Sequence, residues 1–319
     1  MTANFVTADD VFDEWQNGLL TGRAPVLYRI GSGELGRIEL GPGLVTLFGG
    51  APGVGKTAFT MQAICDALLL TPDLRAIVCN VEMPPEVLLD RQLARLAGLC
   101  SKTIRARKLD ASHGMRLEMG LATVQKFADR LAFVRPPFSL ENVAAAADAF
   151  GAGLMVLDYA QRISPPGRHG DQRTSVNALM QYIRQFADAG VAVLVVAAVG
   201  RTKDQKGRSS YDADGLNLAS FRESSELEFG ADSAWLLAPD RNDGEVVKLR
   251  CLKNRHGETD ELALHFDKAE QRFSLIGGTA VKAEPPGKLT SALQSMWEQS
   301  GSADDDPSHE ESEGLDDEA

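Results

Sequence analysis

The chain has 319 residues, of which 44% are hydrophobic and 24% charged, which places it among ordinary globular proteins with room for one large α/β domain or two small ones. No apolar run is long enough to span a membrane, and Met1-Thr-Ala-Asn-Phe5 carries neither a basic segment nor an apolar signal core, so a cytoplasmic location without a membrane partner is expected. The net charge of −12 is local: nine acidic residues and no Lys or Arg follow from Asp304 onward, so the rest of the chain stands near −3 and a nucleic-acid partner is not excluded.

In chain order, the first predicted element is an amphipathic helix from about Asp9 to Leu20. Thr7 and Asp10 form its cap, and Val11, Phe12, Trp15, Leu19 and Leu20 form its apolar stripe. A strand, Gly43-Leu-Val-Thr-Leu-Phe48, follows and runs into Gly50-Ala51-Pro52-Gly53-Val54-Gly55-Lys56-Thr57 and a helix from about Thr57 to Leu70. The spacing Gly50-x-x-x-x-Gly55-Lys56-Thr57 between a strand and a helix is a complete phosphate-binding P-loop. Backbone N–H groups of such a loop converge on phosphate oxygens at a helix N-terminus, Lys56 reaches the β- and γ-phosphates, and the Thr57 hydroxyl meets Mg²⁺. A nucleoside triphosphate ligand, ATP with Mg²⁺, is therefore expected.

Further strands are predicted at Ala76–Val81, Leu131–Val134, Leu154–Leu157, Val191–Ala197 and Ala234–Leu237, and three hairpin-like strands at Glu245–Lys253, Glu261–Phe266 and Arg272–Leu275. Helices at Pro84–Leu96, at Leu140–Phe150 behind a Ser139 cap, and at Ser175–Ala189 alternate with them. This order predicts an α/β fold of the RecA-like P-loop NTPase type, a mainly parallel central sheet flanked by helices. Three regions follow: an arm over 1–24, a core over 25–278 and an acidic tail over 279–319. The tail is too poor in apolar residues to offset its chain entropy and is expected to be disordered. Cys65, Cys79, Cys100 and Cys251 lack the C-x-x-C spacing of a zinc or redox site and read as thiols within apolar runs, and no histidine is assigned a role.

Two carboxylates carry the remaining chemistry. Asp158 ends the apolar run Gly153-Leu-Met-Val-Leu-Asp158, and in a parallel sheet that end faces the ligand, so it can hold the Mg²⁺ hydration shell opposite Thr57. Glu82, in Val81-Glu82-Met83-Pro84-Pro85, follows the second strand. By position it reads either as the base that orients the attacking water or as a first-turn acid that stabilises the next helix.

With these segments in hand, the chain resembles the DnaB-type replicative helicases, the hexameric branch of the RecA-like ATPases, over most of residues 40–276. The P-loop is followed by Val81-Glu82-Met83 with Arg91 farther along the helix, and by Leu157-Asp158-Tyr159-Ala160-Gln161. Arg173-Thr-Ser-Val-Asn177 leads into a helix, Arg222-Glu-Ser-Ser-Glu-Leu-Glu-Phe-Gly-Ala-Asp232 follows, and Lys253-Asn-Arg255-His-Gly257 comes last. The resemblance implies that Glu82 is the catalytic carboxylate and that Lys253 and Arg255 form a finger reaching the γ-phosphate held by a neighbouring subunit. It also implies a homo-oligomer, a hexamer, acting on single-stranded DNA as a helicase or translocase. A non-helicase RecA-like ATPase, a recombination mediator or a regulatory assembly, is the alternative.

Two polar segments are candidates for the DNA-facing loops. One carries Arg168 and Arg173; the other carries Lys203, Lys206 and Arg208, spaced to bind successive phosphates unless it is a solvated surface loop. The acidic tail either competes with DNA for these loops or recruits a basic protein partner. Two departures from the family are visible. Ala197-Ala198-Val199-Gly200-Arg201 has no amide where a sensor Gln is usual, for which Gln161 or Arg201 is the substitute, so Gln161 joins the nucleotide-contacting set. The family's helical N-terminal domain has no room before Gly41, so a stand-alone motor domain is expected.

Overall fold

The structure, a computed structural model, describes residues 5–200, 202, 203, 209, 210, 218–221, 229–240 and 243–277. The acidic tail, Arg201, Lys206, Arg208 and the Arg222 segment as far as residue 228 lie outside the described residues.

The helices are α1 (Ala8–Leu20), α2 (Lys56–Leu70), α3 (Pro85–Ala97), α4 (Ser101–Arg105), α5 (Gly114–Gln125), α6 (Leu140–Phe150) and α7 (Gln172–Asp188). The strands are β1 (Val45–Gly50), β2 (Ala76–Asn80), β3 (Leu131–Phe133), β4 (Leu154–Asp158), β5 (Ala192–Ala198), β6 (Thr202–Lys203), β7 (Ser209–Ser210), β8 (Ser233–Pro239), β9 (Val246–Asn254), β10 (Glu261–Asp267) and β11 (Arg272–Leu275).

Among the described residues the main sheet has the order β11-β10-β9-β8-β1-β5-β4-β2-β3. The neighbours from β8 to β3 are parallel, and β9, β10 and β11 extend the sheet as an antiparallel meander. Strands β1, β2, β4 and β5 are buried on both faces, which is why they read as continuous apolar runs without alternation. Period-two geometry still sorts their side chains into two layers. Phe48, Val156 and Leu194 join the layer under α2, and Leu47, Leu157 and Val195 join the layer under α6 and α7.

Helix α2 is buried almost all round, as expected of a helix apolar on every face. Phe59 on it packs edge-on against Phe48 and Phe273, with ring centroids 5.3 Å apart in both pairs, and Phe266 stacks on Phe273 at 4.1 Å. The Gln62 amide completes the seam by exchanging two 2.9 Å hydrogen bonds with the Phe273 backbone. The turn between β10 and β11 is thereby fixed beside the start of α2.

Helix α7 begins at Gln172, three residues before the apolar pattern predicts, because Asp171 and Thr174 form a capping box. Helices α4 and α5 were not anticipated: α4 has only five residues, and α5 leaves Met115, Met119 and Leu121 exposed, so its spacing does not mark a core face. Helix α1 keeps its predicted Thr7–Asp10 cap and buries none of its residues, leaving Val11, Phe12, Trp15, Leu19 and Leu20 exposed. No helix among the described residues is long and apolar enough to cross a membrane. The four cysteines are free, and all but the half-buried Cys100 are buried.

Candidate active site

The P-loop joins the C-terminal end of β1 to α2, and its glycines meet specific demands. Gly53 and Gly55 have φ of 79° and 94°, in the left-handed region that side chains disfavour. A Cβ on Gly55 would lie 2.8 Å from Phe266 and Phe273, and one on Gly50 would lie 2.6 Å from the Leu237 carbonyl oxygen. Lys56 opens α2 and is 6% exposed. Its ammonium donates to the Gly50 and Ala51 carbonyls at 2.8 and 2.9 Å. Burial lowers its pKa from the ordinary lysine value, and the nearby charges of Asp158 and Glu82 oppose that shift.

Asp158 stands at the end of β4 as expected and is buried. One carboxylate oxygen accepts the Thr57 hydroxyl at 2.9 Å and the Asn80 amide at 2.7 Å. The other, Oδ1, is buried without a hydrogen-bond partner. Burial raises the Asp158 carboxyl to about 6, against the lowering pull of Thr57, Lys56 and Asn80. An unpartnered buried carboxylate oxygen beside a threonine hydroxyl fits a Mg²⁺ ion, which takes one or two protein oxygens and draws the rest from water and phosphate. No cluster of three or more His, Cys, Asp or Glu suited to a metal exists among the described residues.

Asn80 is a residue the sequence reading missed. Its side-chain oxygen accepts the Glu82 and Met83 amides at 3.0 and 2.8 Å while its NH₂ donates to Asp158, so one side chain sets the spacing of both carboxylates. The signal was a polar residue closing an apolar strand. Glu82 lies ahead of the Pro84 N-cap, and the first turn of α3 holds Glu86 instead, so the helix-stabilising reading of Glu82 is not what the fold shows. The Glu82 carboxylate faces Arg162 at 3.3 Å. Burial first, then the charges of Asp158 and Glu82, push the Tyr159 phenol to about 12, and its ring lies 5.6 Å from the Lys56 ammonium.

Gly53, Gly55, Lys56, Thr57, Glu82 and Tyr159 line one cavity of about 420 Å³, and Asp158 lies behind Thr57. Arg91 from α3 and Lys268 and Gln271 from the β10–β11 turn also line it; none of the three was assigned a site role from sequence. The α2–β11 seam brings Lys268 and Gln271 there, and no local pattern could have shown it. Gln161 is not among the lining residues. Its amide instead donates to and accepts from the Ala198 backbone, at 3.4 Å each way, at the end of β5.

Lys253 and Arg255 are elsewhere. Register pairs Asn254 with Ser233 and Ser233 with Thr46, so the finger end of β9 lies beside the start of β1, whereas the P-loop leaves its other end. The four-residue step from Thr46 to Gly50 alone spans about 13 Å of strand. The Lys253 ammonium donates to the Ala231 carbonyl at 2.7 Å, and Arg255 donates to Asp232 at 3.0 Å and to the Phe229 carbonyl at 2.8 Å. Asp232 is buried and also accepts Arg184 at 2.7 Å and the Val45 amide at 2.8 Å.

Of the candidate DNA contacts, Arg168 is exposed in the loop after β4 and Arg173 is exposed in the first turn of α7. The second segment is a small antiparallel hairpin, in which Lys203 on β6 pairs with Ser209 on β7. The residues between these strands lie outside the described set.

A parallel sheet in this strand order, carrying a glycine-rich loop after β1 and a buried carboxylate after β4, defines a RecA-like α/β ATPase fold. The chain belongs to the DnaB-like helicase C terminal domain family, whose model matches residues 39–275. The replicative DNA helicase DnaC of Bacillus subtilis (strain 168) is 24% identical over 233 residues, covering 70% of this chain and 50% of that protein. The DNA repair protein RadA of Pseudomonas aeruginosa is 28% identical over 286 residues, covering 85% of this chain and 51% of that protein. The chain therefore spans about half the length of these curated relatives. Among solved structures, that of a DnaB-like replicative helicase, described together with its interactions with primase, matches with a TM-score of 0.72 at 17% identity, covering 86% of this chain and 68% of that chain.

Proposed function

We propose that this chain is an ATP-hydrolysing motor domain that works as a homo-oligomeric ring, a hexamer, on single-stranded DNA as a helicase or translocase. The supporting observation is the separation of two half-sites within one chain. The cavity is lined by the glycine-rich loop, Thr57 and Glu82, with Asp158 hydrogen-bonded to Thr57 behind it, while Lys253 and Arg255 stand at the opposite end of the sheet, where they cannot reach it. A second copy placed head to tail brings one chain's finger to the other chain's cavity.

In this reading the loop N–H groups from Gly53 to Thr57 and the Lys56 ammonium hold the phosphates of ATP. Thr57 and Asp158 would hold Mg²⁺, which when bound neutralises charge on the β- and γ-phosphates. Glu82, whose backbone amide is held by Asn80, positions water and takes its proton. The water oxygen bonds to the γ-phosphorus as the bond to the bridging oxygen breaks, giving ADP and phosphate. Lys253 and Arg255 of the adjacent subunit stabilise the charge that develops on the transferring group. The exposed apolar stripe of α1 is the fastener between neighbours.

Hydrolysis measured with and without single-stranded DNA, followed by strand displacement on 5′-tailed and 3′-tailed forks, tests this reading. Stimulated hydrolysis with displacement on one fork supports it, and hydrolysis indifferent to DNA removes it. A second reading, a recombination mediator or regulatory assembly, is favoured by the 85% of this chain that matches RadA and by the missing amide at 197–200. It predicts DNA-stimulated hydrolysis without displacement on either fork.

A further inference from the structure

Past Arg91 and Gln271 the nucleotide cavity adjoins a second pocket, of about 120 Å³, between α3, α4 and the β10–β11 turn. Arg91 faces it from α3, and Lys102 and Arg105 face it from α4. Among the described residues, none of these three side chains has a hydrogen bond or salt bridge. Asp90 also lines the pocket, but its carboxylate is engaged by Arg107 at 2.7 Å. Burial, and then the charge of Arg105, depress the Arg91 pKa, while Asp158 and Tyr159 act on it in the other direction. Arg91 therefore stands between the carboxylate end of the nucleotide cavity and a small basic chamber. Gathering three cations around one carboxylate that is already paired with Arg107 costs free energy that a bound anion offsets.

We propose that this chamber is a subsite for inorganic phosphate, which receives the phosphate released by hydrolysis as it passes Arg91. The proposal rests on the ATP-hydrolysis reading above. Its size selects the ligand: sites for drug-sized molecules occupy roughly 300–1,000 Å³, so a nucleoside does not fit, whereas a tetrahedral oxyanion does. Guanidinium groups supply the paired donors that such an anion takes. Because the chamber meets the cavity at Arg91 and Gln271, away from the P-loop glycines, product phosphate can leave while ADP still occupies the loop.

The test titrates the full chain, saturated with ADP and Mg²⁺, with inorganic phosphate at low ionic strength, using calorimetry. Saturable binding is expected, weakened tenfold or more in the Lys102→Gln/Arg105→Gln protein and within twofold of the original in Lys108→Gln, a nearby cation that does not line the chamber. Each single variant should weaken binding by about threefold, which keeps the test valid if the double variant does not fold. ADP affinity should stay within twofold throughout. No phosphate binding by the unaltered chain, or equal binding by the variants, overturns the proposal. Because the titration needs no turnover, its failure is separate from that of the ATPase reading, which would show as no hydrolysis of ATP by the same protein.

Discussion

Arg255 donates to one oxygen of Asp232 at 3.0 Å, and the other oxygen of that carboxylate accepts the amide of Val45, the first residue of the P-loop strand. Arg255, the proposed finger, is thus anchored at the far end of the strand that runs into its own chain's glycine-rich loop.

This placement predicts complementation between subunits. Arg255→Ala should bind ATP and lose hydrolysis by about 10³-fold or more, the scale of a missing finger. Glu82→Gln should also bind and fail to turn over, because the amide keeps the shape without the base. Mixing the two should restore activity at those interfaces that pair an intact cavity with an intact finger. Steady-state hydrolysis across mixing ratios checks this, and a strictly additive result from two dead proteins excludes action in trans.

Asp158 predicts a pH dependence of stability in the absence of divalent cations. Its folded carboxyl is raised from 3.8 to about 6, mainly by burial, so the folded state holds the proton more tightly than the unfolded chain. Stability from this group is therefore complete below pH 4 and is lost as the pH rises through about 6. Asp158→Asn removes the charge, and its amide oxygen can keep the bonds from Thr57 and Asn80. The variant should exceed the original chain in stability at pH 8 by on the order of 1–3 kcal/mol, with the gap narrowing below pH 6 and closing near pH 4. Urea unfolding at the two pH values reads the difference.

Gly55→Ala combines an unfavourable φ with a close approach to Phe266 and Phe273. It should lower unfolding stability by roughly 1–3 kcal/mol and abolish binding of a fluorescent ATP analogue. Gly53→Ala has no neighbour within 4 Å of its new Cβ, so its cost should be confined to the backbone, about 1 kcal/mol. Comparing the two melting curves separates packing from conformation.

For the hairpin segment, neutralising Lys203, Lys206 and Arg208 together should flatten the log–log salt dependence of single-strand binding by roughly 0.7 per lost phosphate contact. An unchanged slope assigns these cations to solvent. Fluorescence anisotropy across a salt titration provides the measurement.

The central strands were legible because burial on two faces demands unbroken apolar runs, and the P-loop because its glycines answer backbone requirements that spacing alone records. Asp158 was legible for a related reason, a single acid closing such a run. What sequence could not supply was adjacency between distant segments. The arrival of Lys268 and Gln271 beside Arg91 at one cavity depends on the Phe59–Phe273 seam, and the service of Asn80 to two carboxylates depends on β2 lying against β4. Gln161 is a further case of adjacency: its amide meets the Ala198 backbone at the end of β5, the strand end at which the usual sensor amide is missing from the sequence.

Strand β1 can finally be viewed as a mechanical part. One end is tied to Arg255 through Asp232, and the other runs into the glycine-rich loop proposed to hold the nucleotide. In the proposed ring every such strand is a strut between two successive catalytic stations. A load placed on one station is carried lengthwise to the next by a stiff, fully buried element, without any hinge along the way. In that proposed ring, six buried residues of backbone would couple one station to the next.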